Sequence, residues 1–170
     1  EFPSNRVVWE SLSKYGVETQ AADITQSDSP EDAIIDQIDA HTRLVSVSSV
    51  QYGTGLRLDL AKIGATCRER GVLFCVDAIQ SLGALRFDLA EAAADFLMAD
   101  GHKWLLAPEG CALFYVRPEL RETLALQQFG WHMVAERGDY DALSWRPAAD
   151  ATRFECGSPN MLGIHGLEAS

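Results

Sequence analysis

Four short apolar runs alternate with amphipathic segments along the chain. They cover residues 44–48, 72–76, 96–99 and 111–116 and are rich in Val, Leu and Phe. Continuous apolar runs of this length predict strands that are buried on both faces of a sheet. Because helical segments separate the first three runs, we predict an α/β fold with a mostly parallel sheet flanked by helices. The last run follows its predecessor after a short connection, so we expect it to pair antiparallel.

The spacing of apolar positions predicts three helices, two before the first of these runs and one between the first two. The first covers residues 6–15, with Gly16 as its stop signal. A second begins at Ser29, where a proline and two acidic residues follow, as is typical of a first helical turn. The third spans about 59–70 and ends at Gly71, a residue that tolerates the left-handed conformation of a helix end.

Three further segments have weaker patterns. Residues 17–22 are expected to form a short strand. Residues 127–150 show no clear periodicity, and a loop of that length in a compact domain tends to be functional. From Gly163 onward the chain has the pattern of a helix that is just starting.

Length and charge limit the classes of protein. A chain of 170 residues with 47% apolar residues is expected to form one domain with a sizeable core. Its formal charge of −11 argues against nucleic acid or an anionic membrane surface as a partner. There is no signal peptide pattern and no apolar run of membrane-spanning length.

The four cysteines predict free thiols. They are Cys67, Cys75, Cys111 and Cys156, and none of them forms a CxxC pair. Most lie in or beside apolar stretches, so we expect buried thiols without disulfides. This pattern is typical of a reducing compartment and predicts a cytoplasmic protein.

Lysine is rare in this chain, which has eleven arginines but only Lys14, Lys62 and Lys103. Lys14 and Lys62 lie on helical segments among polar residues and are expected to be solvated. Lys103 follows an apolar strand and precedes three apolar residues. Desolvation favours the neutral form of an amine, and a neutral amine is the nucleophile of Schiff-base chemistry. The alternative is a lysine that extends from an apolar patch to solvent.

A carboxylate follows one of the buried strands. Asp77 comes directly after the run 72–76, where open α/β sheets bind ligands. A carboxylate is costly to bury there without a cation, and a protonated pyridine nitrogen would serve as one. Gln80, one helical turn further on, is expected to face the same cavity. The alternative interpretation of Asp77 is a helix N-cap.

A polar turn precedes the last predicted helix. Ser158 and neighbouring backbone N–H groups in the segment 153–160 are candidates for anion binding at a helix start. Taken alone, the segment is only a turn.

Taken together, three motifs resemble a known family. Asp77-xx-Gln80, the segment Asp100-Gly101-His102-Lys103-Trp104 and the segment Gly157-Ser158-Pro159-Asn160 are similar, in order and spacing, to the class V aminotransferase and cysteine desulfurase family. These enzymes use pyridoxal 5'-phosphate (PLP). The resemblance covers nearly the whole chain. It implies the core of the large domain of an aspartate-aminotransferase-type (fold type I) enzyme, with residues 1–170 as a PLP-binding fragment.

The resemblance also implies a role for each motif residue. Lys103 would form the Schiff base with PLP and transfer protons. Asp77 would pair with the pyridine nitrogen, and Gln80 would contact the ring oxygen. His102 would bind the phosphate. Ser158 stands where the family usually has Thr and would reach the phosphate in the neighbouring subunit, which implies a homodimer with composite sites.

Other parts of the sequence refine or depart from the family pattern. Residues 1–5 and 48–51 are more similar to the isopenicillin-N-epimerase-like branch. Asp100 stands where many relatives have a phosphate-binding Ser, and a carboxylate would repel phosphate, so another role such as loop capping is expected.

The phosphate loop and the ring-stacking aromatic residue are expected before Glu1. The small domain, the substrate-binding arginine and the desulfurase cysteine are expected after Ser170. No metal site is predicted.

The predicted function is a PLP-dependent enzyme that acts on an amino acid or amine through Lys103. Transamination, racemisation, elimination and desulfuration all use the same lysine and aspartate, so cysteine desulfuration is an alternative reaction. A second hypothesis is a non-catalytic PLP-fold module, and residues 1–170 alone are expected to be inactive. A nucleotide-binding α/β domain is disfavoured because the chain has no GxGxxG or P-loop motif.

Overall fold

Four strands form a single sheet and lie in it in chain order. In the computed structural model, which describes all residues 1–170, they are β1 (Leu44–Ser48), β2 (Leu73–Asp77), β3 (Phe96–Asp100) and β4 (Ala112–Val116). β1 pairs with β2 and β2 with β3 in parallel, whereas β3 and β4 are antiparallel. The structure therefore confirms the predicted mostly parallel sheet and its antiparallel last pair.

Five helices and four short 3₁₀ segments surround the sheet. The helices are α1 (Pro3–Glu10), α2 (Pro30–Ile35), α3 (Leu60–Arg70), α4 (Leu89–Ala92) and α5 (Met161–Ala169). The 3₁₀ segments are Ser11–Tyr15, Pro118–Leu120, Trp131–Met133 and Ala151–Phe154. None of the helices combines the length and the apolar character needed to cross a membrane.

Helix α3 covers one face of the sheet. Its N-cap Asp59 accepts the Lys62 N–H at 3.1 Å, and Gly71 ends the helix with φ of 68°. A Cβ on Gly64 would lie 2.1 Å from the carbonyl oxygen of Ala92, so only glycine lets α3 approach α4 this closely. The core on this face includes Ile63, Cys67, Phe74, Val76, Leu97 and Ala99.

Helix α1 packs on the opposite face. Trp9 contacts a small apolar cluster around Cys75, and its indole N–H donates to Ser46 Oγ at 3.1 Å. Side chains alternate along a strand, and Ser46 pairs in register with Cys75. Ser48 and Asp77, each two residues further along, therefore lie on the α1 face. This arrangement brings the start of α1 to the carboxyl ends of β1 and β2.

A buried carboxylate ties the strands together at the other end of the sheet. Asp95, which is 7% exposed, accepts the Phe74 N–H at 2.8 Å and Arg117 Nε at 2.7 Å. It therefore joins the start of β2 to the residue that follows β4. Such a carboxylate is stable only because both of its oxygens have donors.

The strand predicted at 17–22 is wrong. Residues 17–24 form no regular structure, and Val17 is 46% exposed. The segment pairs with no strand of the sheet, so its local β-propensity does not produce a strand. The long loop at 127–150 is confirmed, with one 3₁₀ turn and an isolated bridge between Val134 and Pro147.

Candidate active site

Asp77 lies at the carboxyl end of β2 and has two hydrogen-bond donors. Its Oδ1 accepts the Ile79 N–H at 2.9 Å, and its Oδ2 accepts Asn5 Nδ2 at 2.6 Å. Residues 79–84 form turns rather than a helix, so the helix N-cap interpretation is wrong. No cationic side chain lies within salt-bridge distance of the carboxylate.

Lys103 lies in the loop that follows β3. Its Nζ is 5.9 Å from the centre of the Phe2 ring, and the residue is half-buried. The loop is fixed by the buried Gly101, whose N–H donates to the Cys111 carbonyl at 2.8 Å. No carboxylate forms an ion pair with Lys103, in contrast to Lys62, whose Nζ is 2.6 Å from Asp32.

The start of α1 connects Asp77 to Lys103. Phe2 contacts the lysine amine and Asn5 contacts the carboxylate, and the Asn5 N–H donates to the Phe2 carbonyl at 3.0 Å. The two predicted residues therefore face the same short segment at one edge of the sheet.

Gln80 is held against the lysine loop. Its Oε1 accepts the indole N–H of Trp104 at 3.2 Å. The turn that carries Gln80 packs tightly on this loop, because a Cβ on Gly83 would lie 2.2 Å from the Trp104 carbonyl oxygen. Gly83 also has φ of 88°, a conformation that favours glycine. Gln80 was expected one helical turn after Asp77, and the structure places it in a turn instead.

A second carboxylate lies beside Asp77. Glu1 accepts the Ser48 N–H at 2.9 Å, Ser48 Oγ at 2.5 Å and Gln51 Nε2 at 3.0 Å. Burial raises the pKa of Glu1, but the hydrogen bonds from Ser48 and Gln51 outweigh it, so the pKa lies below its ordinary value. Ser48 pairs in register with Asp77, so Glu1 is hydrogen-bonded to the strand that neighbours the strand of Asp77.

Sequence reasoning missed the contributions of Glu1, Phe2 and Asn5. Asn5 and Asp77 are 72 residues apart, and no periodicity reports such a contact. The only available signal was the segment 1–5, which was noted for its resemblance to one branch of the family. Phe2 is an aromatic residue that the sequence motifs did not single out, and its ring centre lies 5.9 Å from Lys103 Nζ.

The other predicted residues occupy more exposed positions. His102 Nδ1 is 3.6 Å from Asp100 Oδ2, so Asp100 faces the histidine across the loop. Ser158 is exposed and makes no hydrogen bond within the chain, and the structure does not bring it to Asp77 or Lys103. The cap of α5 is Asn160, whose Oδ1 accepts the Gly163 N–H at 3.0 Å.

Two cavities of about 390 Å³ each lie away from these residues. One is bordered by the start of α3 and residues 85–92, and the other by aromatic residues of the loop between 129 and 145. Neither is lined by Asp77 or Lys103. We place the candidate site at the sheet edge because Lys103 and Asp77 both contact the start of α1 there.

Comparison with known proteins establishes the family. The family model described as Aminotransferase class-V matches residues 1–170, so the chain belongs to this family. A probable cysteine desulfurase of Methanothermobacter thermautotrophicus is 31% identical over 172 residues, which cover 100% of this chain and 42% of that protein. A kynureninase of Deinococcus radiodurans is 29% identical over 170 residues, covering 99% of this chain and 40% of that protein.

Solved structures show the same fold. The apo structure of a cysteine desulfurase from Thermococcus onnurineus NA1 matches with a TM-score of 0.85 and 27% identity, covering 99% of this chain and 42% of that one. The fold-type prediction is confirmed. The chain spans about two fifths of the length of the curated relatives named above. The resemblance to the isopenicillin-N-epimerase-like branch stays a prediction.

The residues at the sheet edge fit PLP. An aldehyde requires an amine, and Lys103 offers one that is not bound in an ion pair. A pyridine nitrogen requires an acceptor, and Asp77 offers a carboxylate without a cationic partner. Because Trp104 occupies Gln80 Oε1, the Nε2 of that amide remains a free donor for the ring oxygen.

Proposed function

We propose that this chain is the cofactor-binding core of a PLP-dependent enzyme that acts on an amino acid or amine, with Lys103 as the residue that binds the cofactor covalently. One observation carries the proposal. The Lys103 amine and the Asp77 carboxylate face the same segment of α1, and neither has an ionic partner. A lysine amine and an aspartate carboxylate that are not paired with each other are both available to bind one ligand.

Lys103 would bind the cofactor's aldehyde and then move protons. No ion pair has to be broken before its amine reacts, because no carboxylate lies within salt-bridge distance. The Phe2 ring, whose centre lies 5.9 Å from the amine, offers a partly exposed flat apolar surface on which an aromatic cofactor would stack. When its amine is not bound to the cofactor, Lys103 would act as a general base that moves a proton of the substrate.

Asp77, Gln80 and His102 would hold the cofactor. Asp77 would accept the N–H of the protonated ring nitrogen, while Gln80 Nε2 would donate to the ring oxygen. His102 would contact the phosphate, and its Nδ1 lies 3.6 Å from the Asp100 carboxylate. When bound there, PLP supplies an electron sink for the bonds at the amino carbon of the substrate.

Cysteine desulfuration is the reaction that the relatives favour. Several similar proteins carry the name cysteine desulfurase, so an amino acid such as cysteine is our proposed substrate class. Burial raises the pKa of both Cys67 and Cys75 to about 11, which leaves almost no thiolate at neutral pH. A sulfur-accepting nucleophile is therefore not one of these two thiols. Transamination, racemisation and elimination use the same core residues.

A second copy of the chain is the proposed partner. Ser158 is exposed and has no hydrogen-bond partner of its own, so its hydroxyl is available to a neighbouring subunit's cofactor phosphate. The loop 127–150 exposes Phe129, Trp131 and Trp145, which suits burial in a homodimer. Sedimentation of the full-length protein should give a dimer, and a strict monomer would contradict this part of the proposal. All four cysteines are free, which supports a cytoplasmic location.

Borohydride reduction tests the central claim. The full-length protein is incubated with PLP, reduced and digested, and the labelled peptide is identified by mass spectrometry. We expect the label on Lys103 and none in Lys103→Ala. Lys62→Ala is the matched control, because Lys62 lies on the surface paired with Asp32, and it should be labelled normally. Labelling of Lys14 or Lys62 in place of Lys103 would overturn the proposal. Labelling without turnover of any amino substrate would favour the non-catalytic module.

A further inference from the structure

The side-chain amide of Asn5 lies between two carboxylates. Its Nδ2 is 2.6 Å from Asp77 Oδ2 and 3.5 Å from Glu1 Oε2. Glu1 is itself fixed by donors from Ser48, and its lowered pKa keeps it ionised at neutral pH. Asn5 is partly buried on α1, four residues from Glu1.

The orientation of this amide is determined by its neighbours. An ionised carboxylate only accepts hydrogen bonds, and an amide has one donating and one accepting end. Placing the amide oxygen toward Asp77 would bring two acceptors to 2.6 Å. The Nδ2 group must therefore face Asp77.

We infer that Asn5 is a positioning residue that orients the Asp77 carboxylate toward the cofactor's ring nitrogen. The inference rests on the proposed PLP-binding function and adds to it a residue from α1. The Ile79 N–H holds only Oδ1, and Asn5 is the only side chain that donates to Oδ2. With both oxygens held, the plane of the carboxylate is fixed before the cofactor arrives, and one lone pair on each oxygen stays free.

This arrangement matters because a carboxylate that rotates freely about its last side-chain torsion does not keep an oxygen directed at the ring nitrogen. The last side-chain torsion of Asp is broad and two-fold, so one hydrogen bond restrains it weakly. If the carboxylate is already oriented, no free energy is spent on reorienting it when the ring nitrogen is protonated. Removing Asn5 should weaken the Asp77 contact to the ring without removing Asp77 or Lys103.

The test follows the ring nitrogen directly. The full-length protein is loaded with PLP labelled with ¹⁵N in the ring, and the ¹⁵N chemical shift is recorded against pH. Asn5→Leu keeps the size of the side chain but removes the donor without adding a charge. In this variant, we expect the midpoint of ring-nitrogen deprotonation to fall by about one pH unit, since a hydrogen bond to a charged group changes an equilibrium roughly tenfold.

Arg6→Ala is the matched control. Arg6 is the next residue on α1, it is exposed, and its ion pair is with Glu10 rather than with the site. It should leave the midpoint unchanged. Equal midpoints in wild type and Asn5→Leu, or an equal fall in Arg6→Ala, would overturn the inference. If the wild-type protein gave no Lys103-bound PLP, the proposed function would fail instead, and the borohydride experiment separates the two cases.

Discussion

The indole N–H of Trp104 donates to the amide oxygen of Gln80 at 3.2 Å. This bond joins the turn after β2 to the loop after β3, which carry the two halves of the candidate site. It also decides which end of the Gln80 amide is free. Since Oε1 is occupied, Nε2 is the end that is presented to a ligand.

Trp104→Phe should weaken PLP binding by about two- to tenfold, because one neutral hydrogen bond contributes roughly 0.5–1.5 kcal/mol. The phenyl ring retains most of the apolar contact but cannot orient the amide. Absorbance titration of the full-length apoenzyme with PLP would measure the change in Kd.

A double-mutant cycle provides the control for this prediction. In a Gln80→Ala background, Trp104→Phe should have little further effect, because its only hydrogen-bond partner is already gone. An undiminished loss in that background would show that Trp104 acts on PLP binding by another route.

Asp77→Ala should separate cofactor attachment from chemistry. Lys103 and its loop are unchanged in this variant, so borohydride should still fix PLP to Lys103. Without the carboxylate, the protonated ring nitrogen loses its acceptor, and we expect single-turnover rates with an amino substrate to fall by about 10²–10³-fold. Asp36→Ala removes an exposed carboxylate far from the sheet edge and should keep the wild-type rate. Loss of attachment together with activity would contradict this division of roles.

The strongly patterned parts of the fold were predictable from the sequence. The run 72–76 is apolar without interruption because β2 is buried on both faces, and Gly71 ends α3 with a positive φ. The positions of Asp77 and Lys103 at or just after the carboxyl ends of β2 and β3 were predictable for a related reason. A charged residue that directly follows a buried strand must lie at the sheet edge where ligands bind.

The contacts between distant segments could not be predicted. Val17 has strand propensity, but a strand requires a partner edge, which only the whole fold can offer. Asn5 and Phe2 lie on a helix whose position is set by the packing of Trp9 on the sheet. Their part in the site therefore depends on tertiary structure rather than on any local pattern.

Asp95→Ala should destabilise the fold by about 2–3 kcal/mol, because it leaves the Phe74 N–H and the Arg117 guanidinium without their buried acceptor. Urea unfolding followed by tryptophan fluorescence would measure the loss. Glu119→Ala is the control, since Glu119 lies 3.7 Å from Arg117 at the exposed surface and should contribute less than about 0.5 kcal/mol. Equal effects of the two substitutions would show that burial of Asp95 does not matter.

The buried thiols should make the protein less stable in alkali. Burial raises the pKa of Cys67 and of Cys75 to about 11, whereas an unfolded thiol titrates near ~8.5. Between these values the unfolded chain loses a proton that the folded chain retains, so stability falls as pH rises.

Each buried thiol should increase the unfolding equilibrium constant about tenfold per pH unit in that window, and should have no effect at neutral pH. Unfolding midpoints of wild type and Cys75→Ala, measured from pH 7 to pH 10.5, should therefore differ in slope only above about pH 8.5. Thr66→Ala changes a neighbour of Cys67 without removing a titrating group, so its slope should equal that of wild type. If Cys75→Ala and wild type lost stability in parallel up to pH 10.5, the pKa of Cys75 would have to be the same in the folded and the unfolded chain. Because Cys75 is only 2% exposed, that result would contradict this structure.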